Sequence, residues 1–315
     1  MKILRVVGGS ALAAVPTLIL ATLIVFLLQR LIPGDPAIAI AGEYATAENI
    51  ARIRADLNLD QPWYVQYFAW IGAAFTGDLG TSFQSGEPIA QLVAQRLPLT
   101  GLLALFALAF AVIVGLPAGV FAAQKVDTFF DRMLTTSATF GIAIPSFWLG
   151  MMLISLFALT LKWLPGPGGA SLADNPAQAL QGLVLPSIAL GLVGAAEIAR
   201  QVRSAMIESL SSDYIRTHQA KGLPQRTIVW KHALRNASLP FATIIGIQVS
   251  RLISGAVVIE AVFGLSGIGS LAVTATNQRE YGVIQAVVFV AAMIILLTNV
   301  LVEVSYRLLD PRIKA

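Results

Sequence analysis

The chain has 315 residues, 57% of them hydrophobic and only 12% charged, with a mean hydropathy of +0.77 and a formal net charge of +4. A soluble domain carries about a quarter charged residues, so this composition excludes an ordinary water-soluble domain and points to lipid as the main solvent. Cysteine is absent, which removes disulfides and thiolate metal sites. No basic stripe interleaved with aromatics accompanies the pI near 9.5, which sets nucleic acid aside.

Crossing the hydrocarbon core takes about 20 largely apolar residues. Six stretches qualify: 6–29, 99–123, 139–161, 183–199, 241–263 and 283–306. The first follows Lys2 and Arg5 as a signal peptide would, but its apolar run is too long, so it is expected to stay as an anchor. Between the first two spans, Thr46 with Glu48, Ile50, Ile53 and Leu57 predicts a capped, one-sided helix. Trp63, Tyr64, Tyr67, Phe68 and Trp70 then suit an aromatic belt at headgroup level, in a membrane-hugging cap. In the second span, GLPAG (Gly115 to Gly119) spaces two small residues for close helix approach, and Pro145 and Pro186 punctuate the next two.

The loop between the fourth and fifth spans holds five Lys or Arg and both histidines, His218 and His232, within residues 211–240. Ser211 or Ser212 can cap a short helix whose first turn carries Asp213; Lys221 and Gly222 can close it. Pro224 then opens a basic amphipathic helix, expected along the membrane surface. A bare connector needs only a handful of residues; a separately capped helix is a dock for a partner. If the amino terminus is cytoplasmic, inner segments hold fourteen Lys and Arg against six outside, so both termini are expected in the cytoplasm of a multi-pass membrane protein.

Arg251 and Glu260 fall inside the fifth span, where charge is costly and faces a cavity or a partner. Two readings stay open: both line a translocation path, meeting a solute's carboxylate and amine, or each pairs with another span or subunit. GLSG (Gly264 to Gly267) matches a serine-protease pattern, but both histidines lie at the other side, so a glycine-rich turn is expected. No phosphate-binding loop and no histidine-rich metal motif occur, so neither ATP hydrolysis nor a metal centre is expected of this chain.

The run DYIRTHQAKGL…KHALRNASLP resembles the EAA-type loop of ABC-transporter permeases of the dipeptide, oligopeptide and nickel group. IPGDP (residues 32–36), LNLDQPWYVQYFAW, GDLGTSF, GAVVIEAVFGLSGIGSL, REYGVIQ and LLDPRI (308–313) agree with that family in order along the chain. The chain departs from the general pattern in having Arg216, Thr217 and His218 where Glu-Ala-Ala is usual. The resemblance implies an all-α integral membrane fold with six transmembrane helices. It divides into a first helix plus extracytoplasmic cap (1–98) and a five-helix core (99–315). The short helix would be a coupling helix seated in an ATPase subunit, with Asp213, Tyr214, Arg216, Ala220, Lys221 and Gly222 as contacts. The implied partners are a second permease, two cytoplasmic ATPase subunits that bind ATP and Mg, and an extracytoplasmic solute-binding protein. The substrate would be peptide, with nickel or another small solute as the alternative. An ion-coupled carrier working alone is the competing class.

Overall fold

The computed structural model describes residues 2–31, 35–41, 46–56, 58–168 and 175–309. Leu57 and parts of the 32–36 and 308–313 motifs lie outside these. Every long element is a helix; the only strand-like feature among the described residues is one bridge between Thr81 and Pro88.

After α1 (Lys2–Arg30), three short helices fill the first connection: α2 (Pro36–Ala41), α3 (Ala47–Asp56) and α4 (Trp63–Phe75). Long α5 (Ile89–Gln124) leads to α6 (Phe129–Ala143) and to α7 (Ser146–Leu153), which continues with wider π winding through Ile154–Thr160. Next, α8 (Pro176–Gly182) feeds α9 (Val184–Leu210). The loop carries α10 (Asp213–Ala220), α11 (Gln225–Thr227), a π-wound turn (Ile228–Ala233) and α12 (Leu234–Asn236). The chain closes with α13 (Ser238–Phe263), α14 (Ile268–Asn277) and α15 (Tyr281–Leu309).

Four segments are long and apolar enough to cross a membrane as single elements: Ile89–Gln124, Pro176–Leu210, Thr243–Phe263 and Tyr281–Val304. The span expected at 139–161, punctuated by Pro145, is two helices, Phe129–Ala143 and Ser146–Thr160, bent by 98°. Pro145 is the cause: a proline forces the residue before it out of the helical region, and Ile144 is extended at ψ 123°. Pro186 does no such damage, because it lies in the first turn of α9, where its missing N–H costs nothing.

The contact at the centre is between α5 and α9. A Cβ on Gly115 would stand 2.5 Å from the Ala195 carbonyl oxygen, and one on Gly119 equally close to that of Ala199. From the other side, a Cβ on Gly191 would meet the Ala107 carbonyl at 2.5 Å. The backbones therefore touch along three turns, as the GLPAG spacing predicts. The remaining faces of α9 take α6, α7 and α13.

At the far end from α10, α1 lies beside α15, with Gln29 bonded to Gln285 (2.7 Å) and to the Tyr281 carbonyl. The five aromatics of α4 do not form one belt. Tyr67 is buried and bonds Thr22 (2.9 Å) and the Ile19 carbonyl (3.0 Å) of α1, and Trp70 packs edge-on against Phe289 of α15. Trp63, Tyr64 and Phe68 are exposed. Thr22 is eight residues in from Arg30, about 12 Å along the axis, so α4 packs well below the end of α1. Nearby, Asp35 caps α2 through the Ala37 N–H and ion-pairs with Arg54 of α3, which holds its carboxyl below the usual range.

Gly119→Val should force α5 and α9 apart and destabilise the protein by about 1–3 kcal/mol, lowering the thermal midpoint in detergent. Gly101→Val on the same helix meets nothing within 4 Å and should leave that midpoint unchanged.

Candidate functional site

Helix α10 has a free face and a seated one. Asp213, Arg216, Gln219, Ala220, Lys221 and Gly222 are exposed, and Arg216 sits 3.5 Å from Asp213 one turn away. Ile215 is buried at 1% in a cluster with Val202 and Met206 of α9, Val120 and Ala123 of α5, and Val229 and Ala233 of the π-wound turn. Tyr214 also turns inward: its hydroxyl is 2.6 Å from Ser209 Oγ, which donates to the Ala233 carbonyl. Of the docking residues expected from the sequence, Tyr214 thus belongs to the seat, whereas Asp213, Arg216, Ala220, Lys221 and Gly222 stay open.

The ends of α10 are fixed by backbone chemistry. Ser212 is the N-cap residue, but its hydroxyl donates back to the Ser209 carbonyl instead of capping an N–H. Gly222 takes φ +77°, and Leu223 N–H reaches the His218 carbonyl at 3.3 Å, closing the last turn. The following segment does not spread its apolar side on a membrane surface as expected. Ile228, Val229 and Ala233 are buried under α10 and against α9, and Trp230 packs edge-on against Phe121. The two histidines join the pieces: His218 of α10 stacks on His232 at 4.2 Å between ring centres, with Tyr214 edge-on to His218.

The bundle itself contains a row of polar contacts centred on α9. Arg203 makes a bidentate pair with Asp131 of α6 (2.5 and 2.7 Å), and Asp131 is 2% exposed. Half-way along, Glu197 Oε2 accepts from Gln248 (2.6 Å) and from Arg251, both on α13. Arg251 therefore pairs with another span and still leaves 55% of its side chain exposed. Glu260 is fully enclosed: Thr100 of α5 donates to Oε1 at 2.6 Å, and the Ser270 N–H of α14 donates to Oε2 at 2.9 Å. The Ile268 N–H reaches Thr100 Oγ1 at 2.9 Å. The carboxylate and Thr100 together cap the first turn of α14 from outside, so Glu260 faces protein on every side. GLSG is the turn that makes this possible: Gly264 is left-handed at φ +62°, and Gly267 passes against the Glu260 carboxylate.

Sequence reasoning missed Glu197, Gln248, Thr100 and Ser209. Glu197 was within reach. It was placed near the end of a span closed at residue 199, whereas α9 runs to Leu210 and puts it thirteen residues from either end.

A bundle of long apolar helices with charge pairs in its interior is the build of a multi-span membrane protein. The chain belongs to the family described as "Binding-protein-dependent transport system inner membrane component", which it matches over residues 115–315, with the amino-terminal companion of that family over residues 3–104. It is 41% identical to a peptide transport system permease protein of Brucella abortus over 301 residues, 96% of each chain. It is 39% identical to the dipeptide transport system permease protein DppB of Alkalihalophilus pseudofirmus, covering 96% of this chain and 97% of that one. Against the glutathione transport system permease protein GsiC of Escherichia coli, the identity is 40%, over 96% of each. The fold matches a chain of the inward-facing MetNI methionine ABC transporter with a TM-score of 0.57 and 18% identity, covering 70% of this chain and 97% of that one. The family resemblance read from the loop motifs is borne out.

The histidine stack makes the seat of α10 sensitive to acid. Burial of the His232 ring, then the adjacent His218 and Lys231, hold its pKa below the ordinary 6.5. A lowered histidine pKa favours the native contact above 6.5 and withdraws that contribution as pH falls through the lowered value. Amide protection factors within α10, corrected for the intrinsic pH dependence of exchange, should therefore be lower at about pH 5 than at about pH 8, and His232→Phe should flatten the difference.

Proposed function

We propose that this chain is a permease subunit of an ATP-driven importer that carries peptides across the cytoplasmic membrane by alternating access. The observation that carries it is α10: an eight-residue helix with an exposed charged face, packed through Ile215 and Tyr214 onto the ends of α9 and α5. A short helix held that firmly passes on a rigid-body displacement that a loose loop would absorb. Peptide as substrate rests on relatives named for peptide, dipeptide and glutathione transport.

In this reading the chain crosses the membrane six times, counting α1 and the bent α6–α7 pair, with both termini and α10 in the cytoplasm. Residues 1–98 supply the first helix and the outer cap, and residues 99–315 the core. The chain does no catalysis. Two ATPase subunits, each seating an α10-type helix, hydrolyse ATP with Mg; a second permease completes the path, and a solute-binding protein delivers peptide outside. Asp213, Arg216, Ala220, Lys221 and Gly222 form the docking face, and Arg251 lines the path at mid-membrane. Glu260 is a strut that holds α14.

Purified from its own membranes through an affinity tag, the chain should bring a second permease and ATP-hydrolysing subunits with it. Gly222→Val forces a branched residue into left-handed backbone, at about 1–2 kcal/mol or more. It should cut ATP-dependent peptide uptake several-fold while the chain still inserts. Uptake driven by an ion gradient with no ATPase attached would overturn the proposal in favour of a carrier working alone.

A further inference from the structure

The outward surface of α13 differs from the apolar exposed faces of four other helices. Those of α1, α5, α7 and α15 present large apolar groups, such as Leu20, Leu28, Leu105, Ile113, Phe121, Phe147, Trp148, Leu297 and Leu301. The exposed stripe of α13 runs Thr243, Ile247, Arg251, Ser254 and Val258, at helical spacing and with half-exposed Ser250 beside it. A lipid-facing stripe would not carry a guanidinium at its centre. Arg251 is thirteen residues from Ser238 and twelve from Phe263, so it stands about 18–20 Å from either end of the helix. Glu197 occupies the same mid-level on α9. The polar cluster is therefore midway along both helices, on a face of mixed polarity.

Its layering is asymmetric. Gln248 is 2% exposed and Glu197 16% at the side chain, whereas Arg251 is 55% exposed. The carboxylate lies behind and the cation in front. Gln248 and Arg251 both donate to Glu197 Oε2; the bond from Arg251 uses one guanidinium nitrogen, and 55% of its side chain stays exposed. A neutral pair in which only the cation is presented recognises anions, and a planar guanidinium matches a carboxylate best.

Resting on the peptide-import reading above, we infer that Arg251 is a mid-membrane station for the terminal carboxylate of the transported peptide, with Glu197 and Gln248 as its positioning residues. The carboxylate is the one group every unmodified peptide shares whatever its side chains. A path that grips it there accepts many sequences and still rejects solutes lacking it. Glu197 keeps the arginine neutralised while the station is empty, and shares it when the substrate carboxylate arrives. No proton moves and no bond breaks; the step is an exchange of ion-pair partners.

The test uses the assembled transporter in proteoliposomes with its solute-binding protein. The substrates are a peptide and its carboxy-terminal amide, chosen so that both saturate the binding protein. Turnover is measured at saturating loaded binding protein, so that the selection made outside the membrane drops out. The wild type should move the free acid roughly tenfold faster than the amide, the size expected for one charge-assisted bond. Arg251→Gln should bring the two rates together, and Arg251→Lys should restore part of the preference. Equal rates for acid and amide in the wild type overturn the inference without any variant. So does an intact preference in Arg251→Gln. A wild-type complex that moves neither form overturns the peptide reading and this inference with it.

Discussion

The contact on which the structure depends is the backbone approach of α5 and α9. With glycine at 115, 119 and 191, the two helices come close enough that any side chain at those points would strike a carbonyl oxygen. Lipid tails are as apolar as leucine, so burying apolar surface does little to hold helices together in a bilayer. Close van der Waals packing and buried hydrogen bonds do that work. The glycines supply the first and thereby fix the rotation of α9. That rotation aims Glu197 at α13 and Arg203 at α6, and carries Ser209 to the base of α10.

Asp131, Glu197 and Glu260 are each met by groups from a different helix. Asp131 meets Arg203, Glu197 meets Arg251 and Gln248, and Glu260 meets Thr100 and the first turn of α14. Glu280, 6% exposed, accepts from Ser82 and from the Gln84 N–H at the start of α15, tying the connection between α4 and α5 to the core. Such groups are expensive in hydrocarbon unless paired. Breaking a buried pair by removing one partner costs about 3–5 kcal/mol. They therefore specify which helices are neighbours more than they add stability. Arg251 is the exception in degree, since its pairing leaves half the side chain open.

The same arrangement suggests how movement would travel. The cluster beneath α10 joins that helix to α9 and α5 as one packed body, with Ile215 at its centre. In the coupling role proposed above, a displacement of α10 would be passed to the α5–α9 pair, on which Glu197 sits. By contrast, the break at Pro145 and the glycine turn at 264–267 divide their segments into short pieces that can re-angle without unwinding a long helix.

Much of this was legible in the residues. Apolar run length located the long helices, because lipid demands it. GLPAG marked the close helix contact, and the loop's cap signals gave α10 to within a residue, with Gly222 left-handed as its position required. Three things were not legible. A proline within an apolar run can kink a helix or end it, and run length alone does not tell which; at Pro145 the helix ends and the next leaves at 98°. The amphipathic segment after Pro224 could lie on lipid or under α10; the stack of His218 on His232 and the seat of Ile215 decided for the latter. Pairing was the third, since Glu197 and Arg251 are fifty-four residues apart, and Thr100 and Glu260 one hundred and sixty. Local sequence sets which residues can enter a membrane and where a helix stops. Which charge meets which is settled only when helices are rotated against one another, because a buried ion's partner is chosen by distance in space.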